Sequence, residues 1–299
     1  MAETTLPLST APAPAAPRAI RWMPPTETTW GVILLIPYAV VFAFFVVYPL
    51  VYGFYLGSNP ASYAKLFNDP VYLRGVRNTL VFLLVAVNLK LLLALVVSGL
   101  FVHPQRWIRW VSIVFILPWA VPSIPTILSF RWMLNSEWGM INNILFGLFG
   151  VFPGPGWLLD PDLAMGSIIL VHIWKYLPFW TLILLAGRLA IPHDLYEAAA
   201  VDGATAWQRF RYVTWPGVRN LYITSTLLST IWSLGDFNSV YLLTGGAPLD
   251  RTHTLATLGI KYGYQIADVS TGVATVITAL PLVVPVVVYL VSQLGRRTP

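Results

Sequence analysis

Residues 192–216 read Pro192-His193-Asp194-Leu195-Tyr196-Glu197-Ala198-Ala199-Ala200-Val201-Asp202-Gly203-Ala204-Thr205-Ala206-Trp207-Gln208-Arg209-Phe210-Arg211-Tyr212-Val213-Thr214-Trp215-Pro216. Pro192 suits the first turn of a helix, and Asp194 and Glu197 fall where a helix N-terminus favours negative charge. Ala198, Ala199 and Ala200 are strong helix formers. Gly203 is placed to end this helix in a left-handed cap. Thr205 with Gln208 opens a second helix as a capping box. Trp207, Phe210 and Val213 or Thr214 recur at helical spacing, and Pro216 is expected to stop that helix. The segment predicts a short helix–turn–helix whose alanine face permits close approach by another surface.

The sequence on either side says where this hairpin sits. The chain has 299 residues, 57% hydrophobic and 10% charged, with mean hydropathy +0.70. Soluble domains carry about 25% charged residues, so a soluble globule and a disordered chain are both excluded. No cysteine is present, which removes disulfides, thiolate metal sites and cysteine nucleophiles. His103, His172, His193 and His253 are too scattered to suggest a metal site. The composition predicts an all-α polytopic membrane protein. A spanning helix needs about 20 mostly apolar residues. Six are expected, near 31–54, 78–102, 110–133, 163–187, 220–243 and 269–294, with no room left for a soluble domain.

Residues 1–29 form a polar, Ala/Pro-rich leader that cannot bury a core and is expected to be disordered. Residues 30–299 then form one membrane domain. The leader lacks the tripartite form of a signal peptide, so the first span is expected to be retained. With the N-terminus in the cytoplasm, the inner segments carry Arg18, Arg21, Arg106, Arg109, Arg188, Arg209, Arg211, Arg219, Arg296 and Arg297. The outer segments carry only Lys65, Arg74, Arg77, Arg131, Arg251 and Lys261. This bias places both termini in the cytoplasm, with outer loops at 55–77, 134–162 and 244–268 and the hairpin at 188–219 on the inner face. The net charge of +6 is thus an orientation signal, and nucleic acid is not an expected partner.

Prolines recur inside the spans, most densely in Leu117-Pro118-Trp119-Ala120-Val121-Pro122-Ser123-Ile124-Pro125. Each removes a backbone donor, and in lipid the freed carbonyls need partners in protein or a wet cavity. Tolerated kinks and a helix broken around a translocation path both remain open. Three ionisable residues, Lys90, Lys175 and Asp236, fall inside spans, where such groups mark candidate functional sites. Lys175 and Asp236 differ in depth by roughly 8 Å at a 1.5 Å rise per residue. An ion pair between them and separate satisfaction of each are both open. Lys90 has no evident partner.

The 188–219 segment resembles the coupling loop of ABC-importer permeases, whose pattern is Glu-Ala-Ala, three residues, Gly, nine residues, then Ile-x-Leu-Pro. Here Glu197-Ala198-Ala199 is followed by Gly203 and then by Val213-Thr214-Trp215-Pro216, so Val213 and Trp215 replace the Ile and Leu. Asn78-Thr79, Leu117 to Ser123, Leu134-Asn135-Ser136 and Leu243-Thr244-Gly245-Gly246-Ala247-Pro248 are similar to the carbohydrate-uptake, maltose-type branch. The resemblance covers most of residues 31–294. It implies the type I importer permease fold in a bacterial plasma membrane. It also implies a second permease as partner in a heterodimer, two ATPase subunits docked on the coupling loops, and a solute-binding protein outside. Glu197, Ala198, Ala199, Asp202 and Gly203 would couple to the ATPase.

No phosphate-binding Gly-x-x-x-x-Gly-Lys-Ser/Thr loop exists in this chain, so no cofactor is expected on it, and ATP with Mg would belong to the ATPase. The maltose-type permease holds its sugar at the positions of Lys175, Tyr176, Phe179, Trp232, Ser233 and Asp236. The residue types differ at most of them, so a disaccharide, a polyol and glycerol phosphate all stay open. An ion-coupled secondary transporter is the alternative, since kinked helices and buried charges serve it too; no internal repeat of the spans supports it. An enzyme is not expected, because no catalytic motif is present.

Overall fold

The computed structural model describes residues 25–103 and 105–295. The chain divides into two units, one through Tyr52 and one from Gly53 onward. In the first unit the helix α1 begins at Pro25. It includes a π turn at Ala43–Val47 and ends at Leu56. Residues 25–29, expected to be disordered, are helical, and the disorder expected for residues 1–24 lies outside the described residues.

In the second unit the long helices are α2 (Pro70–Phe101), α3 (Arg106–Ala120), α4 (Ser123–Met133) and α5 (Pro161–Leu189). They are followed by the short α6 (His193–Val201), by α7, by α8 (Val269–Ile277) and by α9 (Leu280–Gly295). Helix α7 starts at Ala206–Arg209, passes through a π turn at Phe210–Thr214 and continues as Trp215–Leu234.

The structure interrupts two of the six expected spans. Among the described residues, four helices are long and apolar enough to cross a membrane: Thr29–Leu56, Pro70–Phe101, Pro161–Leu189 and Val269–Gln293. The third expected span is broken: α3 and α4 meet at an angle of 96°. The fifth ends at Leu234, with a separate turn of helix at Phe237–Tyr241. Ser225, Ser229, Thr230 and Ser233 are buried along it and dilute its apolar character. The outer segments, expected as loops, contain short helices at Pro60–Phe67, Met140–Phe149 and Leu255–Ile260.

Helix α5 is the central post, packed against α2, α3 and α7. Leu91, Ala94, Leu184 and Val218 meet there with no exposed surface. In lipid such packing is set by close fit more than by the hydrophobic effect. Gly259 and Gly272 show the extreme: a Cβ on Gly272 would stand 2.7 Å from the Gly259 carbonyl oxygen. Two backbones touch at that crossing, and only glycine allows it.

The helix at Pro60–Phe67 is pinned to α8 by Lys65, whose ammonium donates to Asp268 Oδ2 at 2.6 Å. The same carboxylate caps α8 through Thr271 N–H. The Lys65 hydrogen bond, then the Thr271 bonds, hold the Asp268 carboxyl below its ordinary range. A depressed native pKa stabilises the fold above the unfolded value of about 3.9 and ceases to do so as pH falls through the native value. Asp268→Asn is expected to lower the thermal midpoint slightly at pH 7. That difference from wild type should shrink as pH drops below about 3.9; a difference that persists unchanged in acid would refute the assignment.

Candidate functional site

The hairpin from Pro192 to Pro216 folds much as its residues dictate. Asp202 N–H donates to Ala198 O, Gly203 N–H to Ala200 O and Ala204 N–H to Ala199 O. The last two bonds with a left-handed Gly203, φ +74°, are a Schellman end. Thr205 and Gln208 form the reciprocal capping box.

Two details differ. Pro192 sits at the cap of α6, one residue before its first turn. Pro216 does not stop the second helix. The π turn ahead of it lets Trp215 N–H reach Phe210 O, five residues back, so the chain slips past the missing donor. Glu197, Ala198, Asp202 and Gly203 are exposed and Ala199 is half-buried. The hairpin is tied to the bundle from below. Tyr196 Oη lies 2.9 Å from Thr214 Oγ1. Arg188, at the end of α5, donates to Leu95 O (2.8 Å) and Ser98 Oγ (2.9 Å) on α2. These bonds join the base of the hairpin to α2, α5 and α7.

Midway along the bundle, α2, α5 and α7 surround a cavity of about 280 Å³. Lys90 enters from α2, His172, Tyr176 and Trp180 from α5, and Ser229, Trp232, Ser233 and Asp236 from α7 and the break after it. Asp236 lies where the helix stops: its Oδ1 accepts from Ser239 N–H at 3.1 Å, capping the next turn. Its Oδ2 is 2.7 Å from His172 Nδ1. Lys90 Nζ is 2.9 Å from His172 Nε2 and 3.5 Å from Ser233 Oγ.

An ammonium only donates and a carboxylate only accepts. His172 therefore carries its proton on Nδ1, donates that N–H to Asp236 and accepts from Lys90 on Nε2. A neutral imidazole links a buried cation to a buried anion. The side chains of His172 and Asp236 are 2% and 6% exposed, and Lys90 is 1% exposed. Phe82 meets the imidazole edge-on at 4.8 Å, and the ammonium lies 5.6 Å from the Tyr176 ring centre. Ser229 Oγ, fully buried on the cavity wall, has no hydrogen-bond partner among the described residues.

Tyr176, Trp232, Ser233 and Asp236, singled out from sequence, are brought together on this cavity. Phe179 stands behind it, stacked on Trp119 of α3 (5.4 Å) and tilted against Trp232 (5.5 Å). Lys175 is elsewhere, and no Lys175–Asp236 ion pair forms. Its ammonium donates to Pro118 O at 2.7 Å and to Val121 O. Those two carbonyls would take the N–H groups of residues 122 and 125 in a regular helix. Both positions are proline. Lys175 supplies the two missing donors, which is how a 96° bend survives at this depth.

His172 escaped the sequence reading. A histidine four residues before Tyr176 and eight before Trp180, in the middle of a span, was the available signal. The partner that Lys90 lacks in the sequence is this histidine.

Comparison with known proteins agrees with this fold. Residues 90–297 match the family described as "Binding-protein-dependent transport system inner membrane component". The chain is 31% identical to the trehalose/maltose transport system permease protein MalF of Thermococcus litoralis, over 90% of this chain and 95% of that protein. It is 32% identical to the sulfoquinovosyl glycerol transport system permease protein SmoG of Agrobacterium fabrum, over 89% and 93%. A solved bacterial ABC transporter that imports the acidic polysaccharide alginate superposes with TM-score 0.78 at 22% identity, over 92% of this chain and 98% of that one.

Proposed function

The chain belongs to the family of binding-protein-dependent transport system inner membrane components, and on that premise we propose that it forms part of the path by which an ATP-driven importer carries a sugar or sugar derivative. It is a multi-pass inner-membrane transport component and not an enzyme. Membership also decides between importer and ion-coupled transporter, in favour of the importer.

In this proposal a second permease completes the path, two ATPase subunits with ATP and Mg drive it, and a solute-binding protein delivers the cargo outside. Both termini lie in the cytoplasm. The turn at Glu197, Ala198, Ala199, Asp202 and Gly203 seats in the ATPase, and its ties to α2, α5 and α7 convert ATPase closure into rearrangement of the bundle. One observation supports the cargo class above others. The cavity sets the rings of Tyr176, Trp180 and Trp232 beside Lys90, Ser229, Ser233 and Asp236. Flat aromatic faces with a few fixed polar groups suit the apolar faces and hydroxyls of a sugar. Relatives named for trehalose/maltose and sulfoquinovosyl glycerol transport favour the same class. Lys175, engaged at the broken helix, is left out of the binding set.

Gly203→Val tests the coupling. A β-branched residue resists the left-handed conformation by about 1–2 kcal/mol, and a Cβ there meets no atom within 4 Å. The strain is local to the turn. The thermal midpoint of the permease is expected to hold while ATPase co-purification and uptake fall about tenfold, since about 1.4 kcal/mol is a factor of ten. Unchanged uptake and co-purification would sink the coupling role.

A further inference from the structure

At the end of the bundle away from the coupling turn, Arg74, Arg77 and Arg251 share a pocket of about 530 Å³ with Asp162. Arg74 and Arg77 are three residues apart on the first turns of α2, so they lie on one face. Arg251 is brought to them by Asn78, whose side-chain amide donates to Arg251 O at 2.7 Å and His253 O at 2.9 Å. Leu255 N–H donates to Thr79 Oγ1 at 2.9 Å, so the loop is clamped onto α2.

Among the described residues none of the three guanidinium groups forms an ion pair. Neighbouring carboxylates are otherwise engaged. Asp69 caps α2 and accepts from Tyr262. Asp160 caps α5. Asp250 holds Lys261 at 2.6 Å, and Asp268 holds Lys65. Within the pocket, three positive charges face the single carboxylate of Asp162.

Deeper, the wall turns apolar through Val81 on α2 and Met165 and Ile169 on α5. Helix α2 has 32 residues, about 48 Å at 1.5 Å each, against a hydrocarbon thickness of about 30 Å. Its polar start, Arg74, Arg77 and Asn78, precedes the long apolar run that begins at residue 79, so the surplus length is assigned to its first turns, which places them at headgroup depth with the apolar wall running from them toward the hydrocarbon.

We propose that this pocket binds the phosphate of an anionic phospholipid, with the three guanidinium groups forking onto its oxygens and an acyl chain lying along Val81, Met165 and Ile169. A free oxyanion or an acidic side chain of a partner protein would use the arginines and leave the apolar wall empty.

Native mass spectrometry of the full-length chain in detergent, titrated with phosphatidylglycerol or phosphatidylcholine, tests this. Phosphatidylglycerol is expected to bind in preference. R74Q/R77Q/R251Q should weaken it about tenfold, the effect of about 1.4 kcal/mol, and the control R106Q/R109Q should not. The single substitution Arg77→Gln, at an exposed residue whose side chain forms no ion pair among the described residues, should move affinity in the same direction. Equal retention of phosphatidylglycerol by wild type and R74Q/R77Q/R251Q overturns the site. Displacement of the lipid by inorganic phosphate as readily as by phosphatidylglycerol itself overturns the lipid and leaves a free-oxyanion site.

Discussion

Asp236→Leu is expected to abolish uptake and to destabilise the membrane fold by about 3–5 kcal/mol, the range for a buried charge left without its partner. The carboxylate is the anionic end of the Lys90–His172–Asp236 chain. Without it, His172 Nδ1–H has no acceptor and the Lys90 ammonium has no counter-charge within a helix bundle in lipid. The decisive comparison is with Lys90→Met/Asp236→Leu, which removes both ends. An apolar pair of similar volume replaces a buried ion pair at little loss, so most of the thermal midpoint should return. Uptake in reconstituted vesicles should not return, because the polar groups on the cavity wall are gone. A midpoint for Asp236→Leu equal to that of wild type would show that the charges are not coupled through His172. Full uptake by the double variant would remove the cluster from the path.

The separation between what was legible in the sequence and what was not follows periodicity and rotation. Apolar runs located α5 and the α8–α9 region to within a few residues, because bilayer thickness acts on length alone, while α2 begins eight residues before its expected start, at Pro70, since its first turns carry Arg74 and Arg77. The cap at Gly203 and the box at Thr205 are local, and each involves residues within six positions of one another. What was hidden is angular. His172, Tyr176 and Trp180 recur every fourth residue and face one way, while Lys175 lies about 100° per residue around the same helix and faces α3. Depth alone left a Lys175–Asp236 pair and separate satisfaction equally open. Rotation assigns the carboxylate to His172 and the ammonium to a broken helix. The prolines at 118, 122 and 125 warned of a distortion, but kink and break differ only in whether a distant donor exists. That donor lies more than fifty residues downstream. Pro216 misled for the opposite reason: one π turn shifts the bonding pattern, and the helix continues.

Lys175→Met is expected to destabilise the fold by about 2–6 kcal/mol, since each of two buried carbonyls loses its donor at about 1–3 kcal/mol. The methionine keeps the length and apolar stem of lysine, so the loss reports hydrogen bonding and not packing. The logic of the break supplies its own suppressor. Pro122→Ala and Pro125→Ala restore the backbone N–H groups that α3 and α4 lack, and these reach the same Pro118 and Val121 oxygens within the helix. Combined with Lys175→Met they should recover much of the stability by letting α3 run on into α4. Transport should stay lost, because a straightened helix moves Trp119 away from Phe179 and disturbs the aromatic wall behind the cavity. The chain has no cysteine, so a single Ser123→Cys placed at the bend reports its accessibility without background. Its labelling rate should change in the suppressed variant and stay constant in Lys175→Arg, whose guanidinium still donates to two carbonyls. If Lys175→Met alone kept the wild-type midpoint and labelling rate, the bend would not depend on that ammonium.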